Sequence, residues 1–256
     1  MTGTPTTPSG GAVTGAERGA LPGGYARTRA WLHEYFDRQA AKTWETLTSD
    51  APVSGIRATV RAGRDRMRSL MLSWLPTNLS DVRVLDAGCG TGAASIELAR
   101  RGASVVAIDL SPTLVEVARQ RAAQSTLRGA IDFRAGDMLD PALGSFDYVF
   151  AMDSLIHYEL PDAVAAIEAL APRVSRGFVF TFAPRTPLLA TMHAVGKWFP
   201  RADRAPRIVP TAEGALRAAL QQALPGFAAV RTQMVKSSFY TSQAMDLQLT
   251  PRRIPQ

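Results

Sequence analysis

Cysteine is almost absent: Cys89 is the single one in 256 residues. That excludes an intramolecular disulfide and weighs against a structural zinc site. Long hydrophobic runs are missing too. No stretch approaches the ~18 apolar residues of a membrane-spanning helix, so the chain reads as soluble or peripheral. Acids are the minority charge, 22 against 29 Lys and Arg, for a formal net charge of +7. The bases are mostly Arg spread over helical stretches, with no aromatic-interleaved strand of the kind that binds RNA. The excess instead fits an anionic small substrate, an acidic partner or an anionic membrane surface. Residues 1–24, mainly Thr, Pro, Gly, Ala and Ser, have no apolar h-region and are not read as a secretory signal. They cannot bury a core and are expected to be disordered. The remaining length suits one sizeable α/β domain with an appendage.

The most informative stretch is Val84-Leu85-Asp86-Ala87-Gly88-Cys89-Gly90-Thr91-Gly92. An apolar strand ends in an acid and three alternating glycines, and a helix-forming segment follows from Ala93. Such a loop lets backbone approach a ligand, and the helix start presents free N–H groups. The next strand, Ser104 to Ile108, ends in Asp109. A carboxylate there is placed to bind both hydroxyls of a ribose. Two cofactors compete for this loop. A dinucleotide fingerprint wants G-x-G-x-x-G, and here the third glycine comes one residue early, with Ala93 where Gly or Ala is allowed. Asp86 tips the balance, because it would repel a pyrophosphate and suits the cationic methionine end of S-adenosylmethionine (AdoMet). The D-x-G-x-G-x-G run resembles motif I of the class I methyltransferases. Gly136-Asp137-Met138 after a third strand, Ile131 to Phe133, resembles the acid-plus-apolar corner that such enzymes use to hold adenine. Phe146 to Phe150 is the fourth strand.

Around this core the sequence predicts a frame. Residues 25–78 form a helical arm, with helices over about Arg27–Leu47 and Ile56–Trp74. In the second, Ile56, Val60, Met67, Met71 and Trp74 make a core stripe. Arg57, Arg61, Arg64 and Arg68 repeat the rhythm one position later, about 100° round the helix. That stripe is either a solvated face or an anion-facing wall. Residues 79–250 form the nucleoside-binding domain. A helix from Pro161 to Ala171, a fifth strand from Gly177 to Phe182, a helix from Thr211 to Ala223 and an antiparallel pair, Phe227–Lys236 and Phe239–Leu247, complete it. Between them, 184–210 interrupts the order as an insertion at the open end of the sheet, where ligands bind. It reads as a lid over the acceptor, with an amphipathic piece from Leu188 to Phe199 that includes Met192 and Trp198, and a basic rim that includes Arg201 and Arg204.

Several segments go further. Tyr35-Phe36-Asp37, the Asp50–Arg64 stretch, Met152-Asp153-Ser154-Leu155-Ile156-His157-Tyr158 and Phe199-Pro200-Arg201-x-Asp203-Arg204-x-Pro206 together resemble the magnesium-protoporphyrin IX methyltransferases of (bacterio)chlorophyll synthesis. The likeness runs from about Trp31 to Leu247; the leader has no part in it. It implies a Rossmann-like α/β fold with a mostly parallel seven-stranded sheet in the order 3-2-1-4-5-7-6. It also implies methyl transfer from AdoMet to one propionate of Mg-protoporphyrin IX, with porphyrin handed over by the large subunit of magnesium chelatase and a loose link to photosynthetic membranes. The family's catalytic histidine and tyrosine fall by position on His157 and Tyr35. AdoMet is expected on Asp86, Gly88, Cys89, Gly90, Gly92, Asp109, Leu110, Asp137, Met138, Met152 and Ser154. The porphyrin is expected on Arg57, Arg61, Arg64, Met192, Trp198, Arg201 and Arg204. No protein metal-ligand set is visible; the magnesium travels with the substrate. Three rivals remain open: a methyltransferase for another small acid or phenol, an RNA methyltransferase, and a porphyrin carrier without catalysis. The last has no use for an AdoMet pocket.

Overall fold

Alternation along the strands sorts side chains onto two faces of one sheet. Along β1 (Arg83–Ala87), Leu85 and Ala87 point to one core, whereas Val84 points to the other. In β2 (Ser104–Asp109), Val106 and Ile108 join the first core, and Val105 and Ala107 the second. The computed structural model describes residues 23–37, 55–185, 208–237 and 239–250, apart from the side chains of Ile56 and Arg57. The expected leader up to residue 22, the 38–54 part of the arm and 186–207 of the lid fall outside those residues. Met192, Trp198, Arg201, Arg204 and the Arg57 side chain therefore fall outside as well.

The chain begins with α1 (Gly23–Tyr35) and α2 (Gly55–Ser73) and enters the sheet at β1. The glycine loop leads to α3 (Ala93–Arg100), then β2, α4 (Pro112–Ala123), β3 (Ala130–Ala135) and β4 (Phe146–Ala151). A 3-10 turn, Leu155–His157, precedes α5 (Leu160–Leu170) and β5 (Val174–Pro184). After the insertion come β6 (Pro210–Thr211), α6 (Glu213–Ala223), β7 (Phe227–Ser237) and β8 (Tyr240–Leu249). The sheet runs β3-β2-β1-β4-β5-β8-β7, parallel from β3 to β5, with β8 antiparallel to both β5 and β7. That is the expected order, with one strand added. Thr211 does not open a helix; Pro210 and Thr211 pair in parallel with Ala183 and Pro184 as β6. The added strand is only two residues long, and its Pro210 has no N–H to extend a ladder.

The arm differs from expectation at its start. α1 begins at Gly23, four residues before Arg27, and takes in the end of the expected leader. Its buried residues, Tyr25 and Leu32, stand seven apart on one face and join the α5–α6 core. α2 lies on the opposite face of the sheet with Met67 and Met71 fully buried. Its last turn is fastened where Arg231 of β7 lies over the Trp74 ring, 5.2 Å from its centroid, and pairs with buried Asp246 at 2.8 Å. Among the described residues, no helix is long and apolar enough to cross a membrane.

Candidate active site

The parallel register sets the two acids at adjoining strand ends, Asp109 two residues beyond the partner of Asp86. Asp86 is paired with Ala107 and Ala87 with Ile108, so the tips of β1 and β2 end almost level. Ile108 O then accepts from both Gly88 N at 2.8 Å and Cys89 N at 3.0 Å, which folds the glycine loop back over β2. Asp109 Oδ2 accepts from Gly90 N at 2.9 Å and its Oδ1 from Ser111 N at 3.0 Å. Asp86 is buried and accepts from Ser95 Oγ of α3 at 2.5 Å. Burial raises its pKa to about 7, and neighbouring Asp109 adds to the rise while Ser95 opposes it. Burial also raises Asp109, against the backbone N–H groups that stabilise its charge. Two desolvated acids at adjoining strand ends make a site for a cation.

These acids open into a cavity of about 1160 Å³, measured out to open solvent. Gly88, Cys89, Gly90, Leu110, Asp137, Met138, Met152 and Ser154 line it with them. Gly92 does not; it caps α3 behind the loop. Gly88 has φ +84, and a Cβ there would lie 2.5 Å from Ser154 Cβ. Glycine is what allows the loop and the segment after β4 to approach so closely. Ser154 Oγ is buried without a hydrogen-bond partner, an orphan polar atom in the cavity wall. A Cβ on Gly90 would meet nothing within 4 Å, so the loop's inner side is open. Paired acids, an open glycine cradle and an orphan hydroxyl fit a nucleoside carrying a cationic amino-acid tail. Burial raises the Cys89 thiol, which suits a filler better than a nucleophile.

The Gly136–Met138 corner, expected to hold adenine, is more crowded than its sequence suggests. Asp137 accepts from Leu139 N at 3.0 Å, from the Tyr25 hydroxyl at 2.8 Å, and from Arg29, with which it forms an ion pair. Tyr25 and Arg29 were not expected in the site. Tyr25 and Leu32 on one face of α1, with Phe36 just after it, line the pocket.

On the side expected for the acceptor, Arg61, Arg64 and Arg68 of α2 line the same cavity, so this part of the arginine stripe borders a pocket. His157 is buried at the cavity edge and tilts against Phe36 with centroids 5.7 Å apart. Tyr35 is not among the lining residues. Its ring stacks on Trp31 at 5.6 Å and meets Phe36 edge-on at 5.4 Å, because the final turn of α1 points Phe36 inward instead. The sequence also passed over Asp153, which lines the cavity beside Ser154.

A family described as "Methyltransferase domain" matches residues 84–177, and one described as "Magnesium-protoporphyrin IX methyltransferase C-terminus" matches 151–249. The magnesium-protoporphyrin O-methyltransferase of Rhodobacter capsulatus is 46% identical over 227 residues, covering 88% of this chain and 99% of that one. The crystal structure of magnesium protoporphyrin IX methyltransferase from Synechocystis PCC 6803 with bound SAH superposes with a TM-score of 0.77 at 30% identity, over 87% of this chain and 100% of that one. By contrast, a ubiquinone biosynthesis O-methyltransferase of Xanthomonas oryzae, 42% identical, matches 125 residues and 46% of this chain. The likeness to the first two extends through the arm and the final strands, beyond the shared nucleoside core. The chain belongs to the magnesium-protoporphyrin O-methyltransferase family.

Proposed function

We propose that the protein methylates one propionate of Mg-protoporphyrin IX, giving the 13-monomethyl ester and S-adenosylhomocysteine. The observation that carries this reading is one cavity lined both by the buried acids at the strand tips and by arginines of α2. AdoMet, when bound, supplies a methyl group activated by sulfonium.

The protein's own residues do the rest. Asp86 and Ser154 hold the amino-acid end, Asp109 the ribose, and Asp137 with Met138 the adenine. A propionate has a solution pKa of about 4.3, so it reaches the site already ionised and no strong base is needed. Arg61 and Arg64 orient that anion, and orientation of this kind is worth on the order of 7–11 kcal/mol in favourable cases. Leu32, Phe36 and Tyr158 keep water from the reacting charges. Desolvation also favours a protonated propionate, and His157 keeps it ionised. Tyr35 acts at one remove, steadying the Phe36 ring that meets His157. In the reaction sequence, the net charge of +7 and the basic 184–210 segment support delivery of porphyrin by an acidic face of the chelatase large subunit, near an anionic membrane.

Labelled AdoMet with Mg-protoporphyrin IX tests the substrate, with metal-free protoporphyrin and a simple phenol alongside. Label in a porphyrin monomethyl ester is the expected result. Label in the phenol with none in the porphyrin would replace this reading with that of a general O-methyltransferase.

A further inference from the structure

Asp153 is in the left-handed region with φ +56, uncommon for any residue but glycine, and its side chain is 6% exposed. The turn is held by its own N–H, which donates to Thr181 Oγ1 of β5 at 2.7 Å. Three hydroxyls converge on the carboxylate: Tyr240 of β8 at 3.2 Å, and Ser242 and Thr181 at 3.3 Å each. The charge facing it comes from the arm, where Arg64 Nε stands 3.7 Å away. One residue earlier, a Cβ on Gly63 would lie 2.7 Å from the Tyr240 side chain. Glycine therefore lets α2 sit directly on the tyrosine that bonds Asp153, which fixes the height of Arg64 over the sheet.

A bare carboxylate on this wall would repel an anionic acceptor, and low dielectric would enlarge the penalty. Strain at a cavity wall, over-determined by four hydrogen bonds, is the kind that sites retain. We propose that Asp153 is a positioning residue: it holds Arg64 in place on the α2 wall, so that the acceptor's carboxylate meets a fixed guanidinium. This rests on the reading of the acceptor as a carboxylate anion. Asp153 itself touches no reacting atom; it sets the KM for the acceptor and leaves AdoMet binding alone.

Steady-state kinetics of the full chain with Mg-protoporphyrin IX, beside calorimetry with S-adenosylhomocysteine, tests it. Asp153→Asn keeps the size and tolerates the left-handed backbone while removing the charge. Loss of a coupled ion pair predicts a KM for porphyrin about ten-fold higher, with kcat and S-adenosylhomocysteine affinity within about two-fold of wild type. Arg64→Gln, which removes the guanidinium itself, should raise the same KM at least as far and lower kcat as well, and the KM of the double variant should be no worse than that of the poorer single one. An unchanged KM, a product of the two effects in the double variant, or a fall in kcat at constant KM would each overturn the positioning role. Should Asp153→Asn not fold, Tyr240→Phe keeps both charges and removes one hydroxyl. It should raise the same KM about three-fold, and no change would overturn the proposal. Wild-type turnover separates the two layers. A working wild type beside an unaltered Asp153→Asn removes only the positioning role, whereas a wild type that leaves the porphyrin unmethylated removes the substrate reading and this role with it.

Discussion

Tyr25 lies flat against Tyr158, ring centroids 4.9 Å apart and planes 16° apart, and donates from its hydroxyl to Asp137 Oδ1 at 2.8 Å. Burial raises both phenols well above their ordinary range, and the Asp137 charge adds to it, so Tyr25 stays a donor at any working pH. The arm is thereby fastened to the corner proposed to hold adenine. Tyr25→Phe keeps the stack and removes one buried hydrogen bond, a loss of about 1 kcal/mol that should lower Tm by about 2–4 °C. Tyr25→Ala also removes the stack, and should weaken S-adenosylhomocysteine binding about ten-fold by calorimetry.

Asp86 makes cofactor binding depend on pH. In the ligand-free protein its pKa is about 7, raised first by burial, against about 3.9 in an unfolded chain. Between those values the folded state holds a proton that the unfolded state has released. Its contribution to stability therefore falls as pH rises from about 4 to about 7 and stays low above that. A cationic ligand favours the ionised form, so AdoMet affinity should climb through pH 7, with protons released on binding. Asp86→Asn should melt higher than wild type at pH 8 and lose both the affinity and its pH dependence. Calorimetry in buffers of different ionisation enthalpy would register the released protons.

Asp109 anchors the loop, and in the proposed reading it binds the ribose. Asp109→Ala removes the acceptor of Gly90 N–H and the partner of the ribose hydroxyls, which should weaken AdoMet by roughly 1–3 kcal/mol. Asp109→Asn keeps an acceptor and should lose less. Equal affinity in wild type and Asp109→Ala, by fluorescence titration, would place the ribose elsewhere.

The nucleoside half of the site was legible because its signals are local. Val84 to Gly92 and Ser104 to Asp109 carry strand, acid and turn within a few residues each, and parallel pairing brings the two acids together. The α2 stripes were legible for the same reason: Met67 and Met71 recur at helical spacing, with the arginines one position on. What escaped depends on distant contacts. The hydroxyls that hold Asp153 come from positions 28, 87 and 89 residues away. α1 hid its buried face because Arg27, Thr28 and Arg29 stand at the i+2 to i+4 positions after Tyr25, so no continuous apolar stripe runs from it to Leu32.

The proposed roles of His157 in the chemistry and Tyr35 in closure are separable by substitution. His157→Ala should lower kcat about 100-fold with AdoMet affinity unchanged, as for loss of a general base. Tyr35→Phe keeps the ring that packs on Trp31 and Phe36 and should retain near-normal kcat, while Tyr35→Ala should raise KM by releasing Phe36 from His157. A kcat defect in Tyr35→Phe would give its hydroxyl a direct part in the reaction.

The account stands on the two carboxylates at the ends of β1 and β2 holding a nucleoside by its ribose and its cationic amino-acid tail. Titration calorimetry of the purified chain with S-adenosylhomocysteine and with NADH, for wild type and Asp86→Asn, examines that grip directly. One-to-one binding of S-adenosylhomocysteine, diminished by the substitution, with no heat from NADH, is the predicted result. Saturable NADH binding with S-adenosylhomocysteine ignored would contradict it.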